Sequence, residues 1–196
     1  MIANMKRIIL VLALLLPAVL LSAEDLRVAH IFSDHMVLQR ESTVPVWGWG
    51  KPGTKVSVTT SWNGMQVETK VAKDGTWRVE VETRGVMKRA DSNTMIILSG
   101  NDAIKLNDIL LGEVWVCAGQ SNMEMPISGF GFQEVEGARE AVMKAATYAD
   151  RVRVFDIRTP KCQEPVEDVD ATWEKASAGI CAHTSAVAWF FATGLA

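Results

Sequence analysis

The sequence is poor in several residue types that mark common functional classes. It has three cysteines and three histidines among 196 residues, and its 20 basic residues do not outnumber its 23 acidic ones. Without a basic surplus, nothing in the chain indicates nucleic-acid binding. Three cysteines allow at most one internal disulfide, and Cys162 with Cys181 is the expected pair. Cys117 lies in an apolar, strand-like run and is expected to be buried and inert.

The chain also lacks an apolar run of the length that a membrane-spanning helix normally needs. Its apolar stretch from Ile8 to Leu21 follows Lys6 and Arg7 and precedes Ser22-Ala23. This order is typical of a secretory signal peptide, here residues 1–23, and a retained membrane anchor is the alternative. The residue directly after the cleavage point is Glu24, not a cysteine that could carry a lipid. We therefore expect a protein without a stable membrane anchor after cleavage, in a periplasm or outside the cell.

Residues 24–110 are expected to form an all-β sandwich domain. Short segments rich in valine, threonine and tryptophan have the length and apolar pattern of strands: Val44–Trp49, Lys55–Ser61, Val67–Ala72, Trp77–Glu82 and Thr94–Ser99. Glycine-containing pairs separate them, namely Pro52-Gly53, Asn63-Gly64 and Asp74-Gly75. Glycine readily adopts the positive φ of tight turns, so these pairs predict turns. No helical period of useful length interrupts the pattern.

Residues 111–196 have a different pattern, in which strands alternate with helices. The expected elements in chain order are a strand at Gly112–Ala118, a helix at Glu134–Ala149, a strand at Arg151–Ile157 and a final helix with Thr184 or Ser185 as N-cap. The last helix is expected to bury Val187, Phe190 and Phe191. This order predicts the truncated start of an α/β domain with a parallel sheet.

Seven tryptophans raise the question of a sugar-stacking surface. Trp47, Trp77 and Trp115 lie in apolar strand contexts, which favours core packing. Trp62 stands beside Asn63-Gly64 at a predicted hairpin tip. It is the best candidate for an exposed aromatic ring.

The run Gly119-Gln120-Ser121-Asn122 is the most informative stretch, because it follows an apolar strand directly and leads into helix-compatible residues. Ligands of open α/β sheets bind at the carboxyl ends of strands, where a serine hydroxyl is exposed. Ser121 is therefore predicted to be the nucleophile of an acyl-transfer reaction, with backbone N–H groups stabilising the oxyanion. The alternative is that this turn only caps a helix.

The sequence from Gly112 to Pro126 resembles the first conserved block of SGNH hydrolases and, within that superfamily, the sialate O-acetylesterase family. The segments His35–Arg40, Val44–Gly48 and Ser185–Ala192 are also similar to that family. The resemblance implies a carboxylic ester hydrolase that removes O-acetyl groups from sialic acids or related sugars, without a metal or organic cofactor. Its substrate partner would be an O-acetylated sugar.

The resemblance carries Ser121 over as the nucleophile, supported by Gly119, Gln120 and Asn122. It also implies a histidine and an aspartate in an Asp-x-x-His run, and this run is absent: the residues three places before the three histidines are Arg27, Phe32 and Ile180. We therefore expect a fragment that lacks the base of its triad and is inactive alone. An acetylxylan-type esterase and a non-catalytic carbohydrate-binding or structural β-sandwich are the alternatives.

Overall fold

The computed structural model describes residues 26–83, 93–157 and 164–196. The predicted signal peptide and Cys162 lie outside the described residues, so the peptide and the Cys162–Cys181 disulfide stay predictions. Cys181 is buried, and burial raises the pKa of its thiol to about 11. Cys117 is exposed, so the expectation of a buried thiol there is wrong. Within the described ranges, no helix is long and apolar enough to cross a membrane.

Ten strands make up most of the regular structure of the described residues. They are β1 (Arg27–Val28), β2 (Val37–Gln39), β3 (Ser42–Trp49), β4 (Lys55–Thr60), β5 (Gln66–Lys70), β6 (Thr76–Thr83), β7 (Asn93–Ser99), β8 (Asp102–Gly112), β9 (Arg153–Phe155) and β10 (Trp173–Lys175). One sheet has the order β2-β8-β7-β4-β5, a second has the order β1-β3-β6, and β9 pairs with β10. Neighbouring strands are antiparallel except for β2 and β8, which are parallel.

The five strands expected in the first half are confirmed, since β3 to β7 occupy these positions, whereas β1, β2 and β8 were not predicted. In β6, Trp77, Val79 and Val81 are buried while the residues between them are exposed. This period of two matches the pleat of a strand with one face on a core. The turn glycines Gly53 and Gly75 have φ of +83° and +86°, as the predicted turns require.

Within the described ranges four short α-helices are present: α1 (Ser121–Glu124), α2 (Ala138–Lys144), α3 (Ala178–His183) and α4 (Ala186–Leu195). A 3₁₀ helix, Ala145–Tyr148, follows α2 directly. The helix predicted from Glu134 begins later, at Ala138, after Gly137 with φ of +76°. The predicted inward positions Ala141 and Ala145 are buried.

Helix α4 confirms the predicted N-cap but not the predicted buried face. The Ser185 hydroxyl accepts a hydrogen bond from the Ala188 N–H at 3.4 Å. The residues that face the interior are Ala186 and Trp189, whereas Val187, Phe190 and Phe191 are exposed. Trp189 completes a hydrophobic cluster of the second half with these members: Ile127, Ala141, Ala145, Val152, Ala176, Cys181 and Ala186.

The expected architecture, an N-terminal all-β sandwich followed by the start of an α/β SGNH-hydrolase domain with a parallel sheet, is wrong. The described chain is mostly β, with a mixed five-stranded sheet, and β9 and β10 are antiparallel. The β-rich part, which contains β1 to β8, is also not separate from the second half of the chain. Trp173 of β10 packs against its core and donates a hydrogen bond to the Ile31 carbonyl at 2.7 Å. A parallel sheet needs several strands joined by crossovers, and the second half pairs only two short ones within the described residues.

Candidate active site

The segment that leads to Ser121, residues 113–119, pairs with no described strand and is exposed. Residues 113–119 form no strand, so the predicted strand at Gly112–Ala118 is wrong beyond the end of β8. Val116 is 91% exposed and Trp115 is 59% exposed, although the sequence predicted Trp115 in the core. The ring of Trp115 makes an edge-on contact with Phe191 of α4, with centroids 5.2 Å apart. Among the described residues no strand lies alongside this segment, which leaves its apolar side chains in solvent.

Ser121 is the first residue of α1, and its neighbours Gly119, Gln120 and Asn122 are exposed with it. The Gln120 carbonyl accepts hydrogen bonds from the Met123 and Glu124 N–H groups at 2.9 and 3.0 Å. No hydrogen bond between described residues uses the hydroxyl or N–H of Ser121, or the N–H of Asn122. Gln120 holds the N-cap position without a side-chain cap bond. Ser121 therefore does not act as the N-cap that the alternative interpretation required.

Gly119 allows the turn before Ser121 to close tightly. A Cβ atom on Gly119 would lie 2.9 Å from the Cβ of Met123, closer than side chains normally approach. The glycine thus lets α1 begin directly after the extended segment. This is a backbone role for one of the predicted supporting residues.

Residues 113–127, which contain Ser121, are called the nucleophile run. Contacts with α4 and with the turn before α4 hold its downstream end. The Ala186 N–H donates to the Met125 carbonyl at 2.8 Å, and the Ile127 N–H donates to the Thr184 carbonyl at 2.9 Å. The Ser185 hydroxyl lies 3.2 Å from the sulfur of Met123. The similarity of Ser185–Ala192 to the same family therefore corresponds to a direct contact with the Ser121 helix.

Side chains of the β-rich part hold the start of the run. Arg40 Nε donates to Glu113 Oε1 at 2.6 Å, and Gln39 Nε2 donates to Glu113 Oε2 at 3.0 Å. Gln39 Oε1 also accepts from the Val114 N–H at 3.0 Å. The hydrogen bonds from Gln39 and Arg40 hold the pKa of Glu113 below its ordinary value. The sequence showed His35–Arg40 and Gly112–Pro126 as two separate blocks, with no signal that they meet.

Two of the three histidines are paired with carboxylates away from Ser121. His30 Nδ1 lies 2.9 Å from Asp168 Oδ2, and His35 Nδ1 lies 2.7 Å from Asp108 Oδ2. His183 is the exposed last residue of α3. No hydrogen bond between described residues joins a histidine to the Ser121 hydroxyl. In the same ranges, no three His, Cys, Asp or Glu side chains are grouped to hold a metal ion.

Asp108 contacts two cationic side chains and a histidine where the β-rich part meets the second half. Its Oδ2 lies 2.7 Å from His35 Nδ1, 2.9 Å from Lys175 Nζ and 3.2 Å from Arg153 Nη2. Partial burial would raise the pKa of Asp108, but hydrogen bonds from Lys175 and His35 and the charge of Arg153 outweigh it. The pKa of Asp108 therefore lies below its ordinary value of 3.8. The Arg153 side chain is only 1% exposed and depends on this carboxylate for its counter-charge.

We expect Asp108→Asn to lower the free energy of unfolding at pH 7 by about 1–3 kcal/mol, because a charged hydrogen-bond acceptor is lost. A carboxyl whose folded-state pKa is depressed stabilises the fold fully above its unfolded-state pKa, and this stabilisation is lost as the pH falls through the folded-state pKa. The difference between wild type and variant should therefore be complete at pH 7 and shrink below about pH 4. Urea unfolding at several pH values measures it. The exposed Asp102→Asn variant is the control, and equal losses in both variants would contradict the role of Asp108.

Comparison with known proteins gives relatives of one kind. No protein-family model matches the chain. It is 32% identical to the sialate O-acetylesterase of Mus musculus, over 84% of this chain and 32% of the relative. It is 30% identical to that of Homo sapiens, over 93% of this chain and 37% of the relative. A crystal structure of a carbohydrate acetylesterase from Xanthomonas citri has a TM-score of 0.75 and 25% identity, over 86% of this chain and 37% of that one.

The relatives confirm the resemblance to the sialate O-acetylesterase family that the sequence blocks indicated. The similarity extends over most of the chain, so it includes the β-rich part as well as the Ser121 run. The chain spans about a third of the length of the curated relatives it matches.

Proposed function

From this homology to sialate O-acetylesterases we propose that the chain carries the nucleophile of a serine-dependent carbohydrate esterase. Its reaction would be the hydrolysis of O-acetyl esters on sialic acids or related sugars. The observation that carries the proposal is Ser121 itself, whose exposed hydroxyl and N–H have no hydrogen-bond partner among the described residues. The names of the relatives in mouse and human support the sialate substrate.

The geometry of the Ser121 turn suits acyl transfer. The Ser121 oxygen would attack the acetyl carbonyl while a base takes its proton, and the sugar alcohol would leave with a proton returned by that base. Water would then hydrolyse the acetyl-serine and release acetate. The Ser121 N–H is available to stabilise the oxyanion, and the exposed Gln120 and Asn122 stand beside it as supporting donors.

We further propose that the base comes from outside these 196 residues. The chain has three histidines, and none is hydrogen-bonded to Ser121 within the described structure. His30 and His35 lie against Asp168 and Asp108 instead. A serine without its base loses most of its nucleophilic advantage, so we propose that the isolated chain is inactive or nearly so. Export to a periplasm or beyond the cell, from the character of residues 1–23, remains a proposal as well.

Acetate release distinguishes the candidate substrates. The test uses a protein that contains this chain together with the proposed base, which we call the longer protein. We expect it to act on O-acetylated sialic acid with a kcat/KM about tenfold or more above that on acetylated xylan, since binding groups matched to one sugar disfavour another. Enzyme-coupled acetate detection measures both rates under one set of conditions. A preference for xylan would favour the acetylxylan esterase, and no release from either substrate would favour a non-catalytic carbohydrate-binding or structural role.

A further inference from the structure

Backbone hydrogen bonds and side-chain contacts hold the nucleophile run at its two ends, and between them Trp115 contacts the ring of Phe191. No hydrogen bond between described residues uses the backbone of residues 115–119, which lie between the end of β8 and α1. At the Ser121 end, α4 and its preceding turn hold the chain through Met123, Met125 and Ile127. At the other end, the position of the run depends on Glu113 and Val114. Whatever fixes these two residues limits the directions from which the chain reaches Ser121.

Gln39, Arg40 and Glu113 form a three-residue cluster at this upstream end, which we name the Glu113 anchor. Each oxygen of the Glu113 carboxylate accepts a hydrogen bond from one of the two partners. The side-chain amide of Gln39 also accepts from the Val114 N–H, so one side chain bonds both the carboxylate and the backbone.

The backbone around the Glu113 anchor is ordered by the same two residues. Gln39 lies opposite Gly112 in the parallel pair of β2 and β8, and the Arg40 N–H donates to the Gly112 carbonyl at 2.8 Å. The partners are 73 or more positions away from Glu113 in the chain. The β-rich part thereby sets the position and direction of the chain as it leaves the sheet.

Stability alone is a weak reason for this arrangement. The Arg40 and Glu113 side chains are 42% and 47% exposed, and exposed ion pairs contribute little to the free energy of unfolding. Positioning is a stronger reason, because a displacement of about 1 Å at a reacting group can cost about a hundredfold in rate. The contacts act on the one stretch before Ser121 that has no other backbone hydrogen bonds among the described residues.

We propose that Gln39 and Arg40 are positioning residues for Ser121, acting through Glu113 and Val114. The inference rests on the proposed esterase function of Ser121. In this proposal the β-rich part influences the rate of the chemical step through Glu113 and Val114. A role confined to stability would instead change the unfolding transition and leave kcat unaltered.

Kinetics of Arg40→Gln and Gln39→Leu in the longer protein test the inference, with O-acetylated sialic acid as substrate. We expect kcat to fall about 10- to 100-fold with KM within about twofold, since the nucleophile is misaligned while sugar binding is retained. Arg40→Lys should restore part of kcat because an ammonium can still donate to Glu113. Arg78→Gln, which removes the exposed Arg78–Glu80 pair of β6, is the control and should leave kcat unchanged.

Hydrogen exchange supplies a readout that does not depend on activity. The peptide that contains Val114 should exchange faster in Gln39→Leu than in wild type, because its N–H loses an acceptor, and Arg78→Gln should not alter it. If Arg40→Gln does not fold, Arg40→Lys and Gln39→Leu decide. Wild-type values of kcat and exchange in these variants overturn the inference while leaving the proposed function intact. A wild-type protein that releases no acetate overturns the proposed function, and exchange then decides the structural part alone.

Discussion

Replacing Ser121 with alanine in the longer protein is expected to reduce acetate release from O-acetylated sialic acid by at least about a thousandfold. In the proposed mechanism the variant loses the oxygen that forms the acetyl-enzyme, and loss of such a nucleophile leaves mainly the contribution of binding and oxyanion stabilisation. KM should change little, because the hydroxyl contributes mostly to the transition state. Ser121 is exposed and its hydroxyl makes no hydrogen bond with a described residue, so the unfolding transition should stay at its wild-type position.

The matched control for this variant is Ser128→Ala. Ser128 is also exposed and lies seven positions downstream, in the turn after α1. Its N–H donates to the Ala182 carbonyl, and alanine keeps that backbone bond. Undiminished turnover in Ser121→Ala, or an equal loss in both variants, would refute the assignment of the nucleophile.

Replacing Trp189 with alanine is expected to lower the free energy of unfolding by about 3–5 kcal/mol, as large-to-small changes of buried aromatic residues do. Trp189 is 1% exposed and is the largest fully buried side chain of the described residues. Its ring makes an edge-on contact with Tyr148, with centroids 6.4 Å apart. The cavity would open beneath α4, which also contacts the Ser121 helix. Urea unfolding followed by circular dichroism measures the change.

Phe190→Ala provides the comparison for Trp189 on the same helix. Phe190 is 42% exposed, so its truncation should cost less than about 1 kcal/mol. Similar losses in the two variants would mean that α4 buries a different face in the protein. Such a result would favour the face that the sequence predicted, with Val187, Phe190 and Phe191 inside.

Five strands of the first half, β3 to β7, were readable from sequence because their signals are local, whereas β1, β2 and β8 were not predicted. A period of two along β3 and β6 and glycine pairs at the turns predicted strands within one or two residues of their observed bounds. The environment of Trp62 was not readable in this way. Trp62 was predicted to be exposed at a hairpin tip. The residue is only 6% exposed, and its ring N–H donates a hydrogen bond to the Glu82 carbonyl at 2.8 Å. The local sequence predicts the hairpin of β4 and β5, but it does not show how the residues beside the turn pack.

The second half was less readable because its elements need distant partners. Gly112–Ala118 is as apolar as a buried strand, but a strand exists only where another pairs with it, and none of the described strands does. Likewise, the three apolar residues Val187, Phe190 and Phe191 share one side of α4, while the cluster around Ala141 and Cys181 receives Trp189 instead. Helix periodicity reveals that a face is apolar and does not show which of two apolar faces meets the core.

The sequence by itself predicted five strands of the first half, β3 to β7, the N-cap of α4 as one of two residues, and the candidate nucleophile Ser121 with its family resemblance. These features depend on a few consecutive residues, whose backbone preferences and chemistry act over short range. The tertiary structure decided that the run before Ser121 is exposed and unpaired, that His30 and His35 meet carboxylates, and that Arg40 holds Glu113. The contacts of His30, His35 and Arg40 join residues 73 or more positions apart, and only the folded backbone brings such residues within hydrogen-bond distance.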